Sequence, residues 1–406
     1  MISISDKTLK SASSAHHKYI FEVFSSKKEV LKLCLRYFNL KSQAHKRQFN
    51  LDLANINAPD IIKLQSINWF LKKSTNKTKN RKGEFRNVKS VNRTDNFFIS
   101  KFHLFPCKPN ILNELKNQID YFDDIIVRDL LMGKPSDLIS ESNKYKSKFI
   151  KKQSAVITKE TKRLISFLFD YSEFSKKKSS VYSLNWGAYK LTDALGVRSC
   201  LYCNRNYTLT VTNCGKKIIR PELDHFFPQS KYPLLTLSFY NLIPSCHICN
   251  SNLKGKIPFE LTTHFHPYLS SFEKENAKFT YEPKNPVAFF GDKRGLKLKI
   301  DTSNLLRNDN RIKKNIEIFK LDYIYNDYQD IVDGFINLQR KTNKKKIKDI
   351  YRNVFVDNIG KRWSYGEQEL YELAIRNHYN PDDFNKKSLA KFEKDIAKEL
   401  GLIKKT

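Results

Sequence analysis

Long apolar segments are missing from this sequence, and its opening residues do not have the pattern expected of a secretory leader. No stretch approaches the roughly eighteen uninterrupted apolar residues that a membrane-spanning helix needs. The opening residues, MISISDKTLKSASSAHHKYIF, do not place a charged head before an apolar run, as a signal peptide does. We therefore expect a cytoplasmic protein that has no membrane partner.

Acidic residues are scarce relative to basic ones. The 406 residues include 74 Lys and Arg against 42 Asp and Glu, which gives a formal net charge of +32 at pH 7. Such a chain repels itself and is attracted to polyanions, of which nucleic acid is the commonest soluble example. A lysine-rich composition imposed by an AT-rich genome is the alternative explanation, but that bias does not require so large a net charge. Nucleic acid is therefore the expected partner, with DNA as the first candidate.

The chain nevertheless has enough apolar residues to fold. The hydrophobic share is 40%, with 29 Phe and 20 Tyr, which excludes a disordered tail, and the length suits two or three domains. Apolar residues recur every three to four positions in residues 1–185 and again in 302–406, so we predict helical regions at both ends. Residues 271–301 predict a short β extension. The basic segment 72–93 has nine Lys or Arg and one acid, and is either a phosphate-contacting arm or a solvated loop.

Residues 186–270, between these regions, follow a different pattern. WGAYKLTDALG predicts a short helix that ends at Gly196. NYTLTVTN and KKIIRPEL predict two strands around a turn at Cys214 and Gly215, and CHICNSNLKG predicts a helix start that ends at Gly255. The predicted order is strand, strand, helix. The whole chain is thus expected to be mainly α with a small α+β insert.

Cysteines are few, and four of the seven form two C-x-x-C pairs. The odd count argues against a disulfide framework. Each pair lets two sulfurs approach one ion from a tight turn, and four thiolates satisfy a tetrahedral structural zinc ion with no open position. A redox dithiol is the rival interpretation, but it needs one pair near a βαβ pattern. The predicted zinc ligands are Cys200, Cys203, Cys246 and Cys249, while Cys34, Cys107 and Cys214 are expected to be ordinary thiols and His247 to point away.

Four polar residues that could take part in catalysis lie between the two C-x-x-C pairs or directly after the second pair. Asp224 and His225 are adjacent on a predicted strand, so their side chains point to opposite faces unless the strand bends at the following Phe-Phe-Pro. Asn241 follows in YNLIPSC, and Asn250 comes directly after the last cysteine. Histidine titrates near neutrality and can accept a proton from water, while an acid and an amide can hold a hard divalent cation. Phosphodiester hydrolysis needs both functions.

This pattern resembles the HNH endonucleases, which belong to the ββα-metal (His-Me finger) nucleases. The phrases CLYC, ELDHFFPQSKYP, NLIPSCHICN and LKG carry the resemblance, which covers roughly residues 198–256. Asparagine replaces histidine at the third motif position, a variation that the family uses. The resemblance implies a ββα-metal nuclease core, stapled by a four-cysteine zinc ion and flanked by the two helical regions.

The same resemblance implies a role for each residue. His225 looks like the general base, and Asp224 and Asn250 look like the ligands of one catalytic Mg²⁺ or Mn²⁺ ion. Asn241 looks like the residue that orients the base, and Lys254 like one that steadies a phosphate. Beside the motif, Arg198, Arg205 and Arg220 are candidates for phosphate contacts. His264 and His266 either line the phosphate groove or pack against Tyr268.

The expected activity is metal-dependent hydrolysis of DNA. The motifs are also similar to those of HNH subunits of bacterial anti-phage systems of the Septu type. This similarity implies a defence role and an ABC-type ATPase as a partner. Two alternatives stay open. One is cleavage of RNA, including transfer RNA, because the metal chemistry does not need the 2′-hydroxyl. The other is a zinc-stapled nucleic-acid-binding module without turnover.

Overall fold

The structure is a computed structural model that describes residues 1–40, 109–150, 155–176, 186–285, 295–306, 310–341 and 366–403, together with short pieces between 42 and 87. Residue contacts divide the chain into two compact units, each discontinuous in sequence. The first unit comprises Met1–Ala12, Tyr189–Pro228 and Leu242–Thr406, and the second comprises Ser13–Ala188 and Gln229–Asn241.

The second unit is helical. Its described helices are α1 (Asp6–Asn39, which starts in the first unit), α2 (Pro109–Tyr121), α3 (Asp124–Met132), α4 (Pro135–Phe149), α5 (Ala155–Leu168) and α6 (Tyr171–Ser175). The amphipathic sequence of residues 109–132 therefore forms two helices, and not one. Asp123 causes the break, because its side chain accepts a hydrogen bond from the Ile126 amide at 2.8 Å and caps α3. The predicted basic loop 72–93 lies outside the described residues, apart from the paired backbones of β1 (Lys77–Lys79) and β2 (Phe85–Asn87).

A buried histidine organises part of this helical unit. His16 has no exposed surface, and its ring lies 5.7 Å from that of Phe174 and 5.9 Å from that of Phe239. Nε2 lies 2.7 Å from the Leu237 carbonyl oxygen, and Nδ1 lies 3.2 Å from the Trp186 indole nitrogen. The indole N–H can only donate, so Nδ1 accepts and Nε2 carries the proton. The ring is therefore held as a neutral imidazole.

Acidification is expected to destabilise this unit through His16. Burial lowers the pKa of His16 to about 4 from an ordinary 6.5. The neutral imidazole contributes its full stabilisation above pH 6.5. This contribution is lost progressively as the pH falls from 6.5 to 4, and the loss is about 2 kcal/mol at pH 5. Urea unfolding followed by tryptophan fluorescence should show this loss in the wild type and a smaller loss in His16→Gln. Equal pH dependence in both proteins would contradict the assignment.

Among the described residues, the first unit contains three strand pairs and the remaining helices. The strands are β3 (Val211–Asn213), β4 (Lys216–Ile219), β5 (Glu222–His225), β6 (Leu242–Ser245), β7 (Lys278–Pro283) and β8 (Leu296–Asp301). The α-helices are α7 (Ala188–Leu195), α8 (Asn310–Ile318), α9 (Leu321–Tyr325), α10 (Gln329–Lys341), α11 (Glu367–Ile375) and α12 (Ala390–Glu399), and Ile248–Lys254 forms a π-helix. Each strand pair, β3–β4, β5–β6 and β7–β8, is a separate antiparallel two-stranded sheet. The predicted mainly helical fold with small β elements is confirmed.

The C-terminal helices support the first cysteine pair. The Tyr325 hydroxyl donates to the Cys203 carbonyl oxygen at 2.6 Å. The Asn204 side-chain amide donates to the Phe384 carbonyl oxygen at 2.9 Å, and the Leu389 amide donates to the Asn204 carbonyl oxygen at 2.6 Å. Residues more than a hundred positions away in sequence thus fix the backbone on which two of the thiols stand.

Within the described part of the chain, no helix is both long and apolar enough to cross a membrane.

Candidate metal centre and polar site

The four cysteines of the two C-x-x-C pairs come together. The Sγ atoms of Cys200, Cys203, Cys246 and Cys249 all lie within 4.8 Å of one another, and all four residues are buried. A tetrahedral zinc ion with Zn–S bonds of about 2.3 Å separates its sulfurs by a little less than 4 Å. The cluster therefore fits a closed, structural zinc ion, as the sequence predicts.

The first pair is shaped by an asparagine. Asn204 has φ 51°, in the left-handed region that asparagine tolerates better than most residues. Its amide donates to the Cys200 carbonyl oxygen at 2.7 Å, which closes the turn. The next amide, that of Arg205, then points at the Cys203 sulfur at 3.4 Å. Amide donors of this kind offset the negative charge of metal-bound thiolates.

The second pair joins β6 to the π-helix. Cys246 directly follows β6, and its sulfur accepts from the Cys249 amide at 3.5 Å and from the Asn206 side chain at 3.4 Å. His247 is not part of the cluster, since its side chain is 67% exposed and turned to Glu222. This confirms the prediction that the histidine points away from the sulfurs.

Four buried thiols in so small a space favour a bound cation. Burial raises the pKa of the Cys200 thiol well above its ordinary value. Four thiolates in this space would repel one another strongly, and a divalent cation removes that cost.

The strand pair at the centre of the site differs from the predicted one. Strand β5 pairs with β6, with Asp224 opposite Ile243 and His225 opposite Leu242, and the π-helix follows β6. The two strands predicted on either side of the Cys214–Gly215 turn are present as β3 and β4, but the strand that pairs with β5 was not predicted. It was missed because LIPS is a short buried strand without the alternation that identifies half-buried strands. Its end is fixed by the Tyr268 hydroxyl, which donates to the Leu242 carbonyl oxygen at 2.7 Å.

Asp224 is held by a lysine and a tyrosine. The Lys254 ammonium lies 2.7 Å from Asp224 Oδ1, and both side chains are nearly fully buried, at 3% and 4% exposed. The Tyr202 hydroxyl donates to Oδ2 at 2.6 Å. Lys254 also donates to the His225 carbonyl oxygen at 2.8 Å and lies 4.9 Å from the Phe259 ring centroid. The turn between Cys200 and Cys203, which contains Tyr202, thus contacts the predicted catalytic carboxylate directly.

Asn250 is placed on a different carboxylate. Its side-chain amide donates to Glu222 Oε2 at 2.8 Å, the Ser251 hydroxyl donates to the same oxygen at 3.1 Å, and His247 Nδ1 lies 2.7 Å from Oε1. Partial burial acts to raise the pKa of Glu222, but these hydrogen bonds outweigh it and hold the pKa below its ordinary value. Glu222 is therefore an anion at neutral pH.

His225 and Asn241 lie at the two ends of the connection between β5 and β6. His225 is the last residue of β5 and is half-buried. The strand ends there, as the Phe-Phe-Pro sequence predicts. Asn241 belongs to the second unit and is fully buried, where its side-chain amide donates to the Leu235 carbonyl oxygen at 2.8 Å. That contact ties down the loop before β6; its predicted effect on His225 stays a prediction.

The remaining candidates divide into surface cations and packed rings. Arg198 is exposed, and Arg205 and Arg220 are half-buried, with the Arg220 guanidinium 5.7 Å from the Tyr189 ring. His264 stacks on Phe259 at 3.9 Å, and burial lowers its pKa to about 4. His266 lies 4.4 Å from Phe226 and 5.7 Å from Tyr268, which agrees with the packing alternative.

Sequence reasoning missed Glu222 and Tyr202. Glu222 lies two residues before Asp224, so strand alternation places both carboxylates on the face that meets the π-helix. That signal was available. Tyr202 is an interior residue of a C-x-x-C pair, and no sequence pattern identifies its contact with Asp224.

A divalent ion shared by Asp224 and Asn250 requires a rearrangement. Oxygen donors of the type that Mg²⁺ and Mn²⁺ prefer are present at Glu222, Asp224 and Asn250. However, the Lys254 ammonium already donates a hydrogen bond to Asp224, and the Asn250 side-chain amide donates one to Glu222. Their joint role as ligands stays a prediction, and it depends on displacing Lys254.

Comparisons of the chain with family models, curated proteins and solved structures return no match.

Proposed function

We propose that the protein is an HNH-type endonuclease that hydrolyses phosphodiester bonds of DNA. The observation that carries the proposal is the strand–strand–helix arrangement beside a four-cysteine cluster. Strand β5 supplies Asp224 and His225, the π-helix supplies Asn250 and Lys254, and buried thiols stand at the start of that helix. A rigid scaffold of this kind is what hydrolysis needs, because small displacements of catalytic groups reduce rates strongly.

The chain's own residues divide the work of hydrolysis. The His225 imidazole accepts a proton from a water molecule, whose oxygen attacks the phosphorus. The bond from phosphorus to the leaving oxygen breaks, and that oxygen takes a proton from solvent. Lys254 is the cation that can turn from Asp224 to a phosphate oxygen, which offsets the charge on the transferring group. When bound, Mg²⁺ or Mn²⁺ would supply Lewis-acid stabilisation of that group.

Replacing His225 by alanine is expected to lower the cleavage rate by about 10²- to 10⁴-fold, the usual contribution of a positioned general base. His378→Ala is the matched control, because His378 is also half-buried but lies outside the polar site. The assay is conversion of supercoiled plasmid to nicked or linear forms with Mg²⁺ or Mn²⁺, with RNA and transfer RNA as parallel substrates. Equal activity of wild type and His225→Ala on every substrate would overturn the proposal.

A nucleic-acid-binding module without turnover is the second candidate. It is favoured by the buried ion pair between Lys254 and Asp224, which leaves the predicted ligand neutralised. Salt-sensitive binding with no cleavage, unchanged by Asp224→Ala, would favour this candidate.

The cellular setting rests on the resemblance alone. An anti-phage role and gating by an ABC-type ATPase follow from the likeness to Septu-type subunits. Adding a purified ATPase of that type should change the cleavage rate if the likeness extends to assembly.

A further inference from the structure

Strands β3 and β4 form a narrow ribbon that no other strand of the described residues joins. Val211 lies opposite Ile219 and Asn213 opposite Lys216. The two-residue turn at the tip, Cys214 and Gly215, has φ values of 45° and 77°, the left-handed conformation of tight hairpin turns. The pair constitutes a two-stranded sheet of its own.

The ribbon is exposed along nearly its whole length. Val211, Ile218 and Ile219 are 37%, 43% and 53% exposed, although they are β-branched aliphatic residues. Of residues 211–219, only Lys217 is half-buried. A two-stranded hairpin is only marginally stable by itself in water, and clustered exposed apolar side chains usually mark a binding surface.

Helix α7 fixes the base of the ribbon. The Tyr189 hydroxyl donates to the Ile218 carbonyl oxygen at 3.2 Å, and the Thr210 hydroxyl donates to Thr192 Oγ1 at 2.9 Å. The base of the ribbon is thus anchored to helix α7, and the Cys214–Gly215 turn forms its opposite end.

The charge of the ribbon favours a polyanion as its partner. Residues 211–220 include three Lys or Arg and no Asp or Glu. Partial burial lowers the pKa of Lys217, and the positive charge of the neighbouring Arg220 lowers it further. An anion close to both side chains would therefore relieve the repulsion between Lys217 and Arg220. A polyanion complements this surface better than an apolar protein face does.

We propose that the β3–β4 ribbon enters the major groove of duplex DNA. The major groove is about 12 Å wide and admits a two-stranded β-ribbon. Lys216 and Lys217 would contact phosphates, and the aliphatic side chains would meet thymine methyl groups. Residues 211–220 contain no aromatic side chain, so the ribbon lacks the stacking platform typical of single-strand binding. The inference rests on the proposed function only in taking nucleic acid as substrate.

Binding without cleavage tests the contacts. Affinity of the full chain for a short duplex is measured against salt concentration in EDTA-free buffer without added Mg²⁺ or Mn²⁺. Lys216→Ala with Lys217→Ala should weaken binding and reduce the slope of log K against log salt by about 1.8, which corresponds to two lost phosphate contacts. Lys297→Ala, an exposed lysine on β8, should leave both quantities unchanged. An unchanged slope in the double variant would overturn the inference.

The tip thiol tests the groove. Cys214 is an exposed free cysteine at the turn, so it can form a disulfide with a thiol tether attached to a DNA base. Cross-linking to a tether in the major groove of a duplex, abolished in Cys214→Ser, is expected. Preference for a minor-groove tether or for single-stranded DNA, or no cross-link, would contradict it. These results do not depend on cleavage, so loss of the nuclease proposal and loss of the ribbon inference give different outcomes.

Discussion

Replacing Cys246 by serine is expected to remove the bound zinc and to unfold the strand–helix site. Cys246 joins β6 to the π-helix, and its sulfur lies among the other three. Structural zinc sites in small domains contribute apparent binding free energies of about 10–16 kcal/mol, and that energy is folding energy for the elements they join. Metal analysis should find one zinc per wild-type chain and almost none in the variant, whose thermal unfolding should begin at lower temperature.

Cys214→Ser provides the matched control for this experiment. Cys214 is a free, exposed thiol outside the cluster, so its replacement should change neither zinc content nor stability. Zinc retained at one per chain in Cys246→Ser, or a wild-type protein that folds identically after exhaustive chelation, would refute the structural zinc site.

Replacing Lys254 by methionine is expected to produce opposite changes in stability and in metal binding. Lys254 is a buried cation 2.7 Å from Asp224, so its removal leaves a buried carboxylate without its counter-charge. Loss of one partner of a buried ion pair costs about 3–5 kcal/mol. A divalent cation can restore the balance, so Mn²⁺ should bind the variant roughly tenfold or more tighter than the wild type and should recover part of the lost stability.

Calorimetry of Mn²⁺ binding and unfolding with and without Mn²⁺ measure the two effects. Lys256→Met, which changes an exposed lysine two residues later, should alter neither. If Lys254→Met bound Mn²⁺ no more tightly than the wild type, the ammonium would not be competing with a metal at Asp224.

The cysteine cluster was predictable because local spacing encodes it. A C-x-x-C turn brings two sulfurs together whatever the rest of the fold does, so two such pairs predict a four-sulfur site even without knowledge of their relative position. The tight turn at Cys214–Gly215 and the short helix that ends at Gly196 were predicted for the same reason. Both depend on residues that take positive φ.

The pairing of the site's side chains was not predictable in this way. Which carboxylate meets which helix residue depends on how the π-helix packs across β5. That packing places Lys254 on Asp224 and Asn250 on Glu222. It is set by contacts that are distant in sequence, among them the Tyr202 hydroxyl bond to Asp224. The resemblance to HNH endonucleases named Asp224, Asn250 and Lys254 as candidates, but it contained no information on their partners.

The most direct test of the site is a crystal of the full chain soaked in Mn²⁺ and measured at the zinc and manganese absorption edges. We predict a zinc peak about 2.3 Å from all four sulfurs, and a manganese peak on Asp224 and Asn250 with the Lys254 ammonium withdrawn from the carboxylate. A zinc peak absent from the cysteines, or manganese bound elsewhere with the Lys254–Asp224 pair intact, would contradict this account of the site.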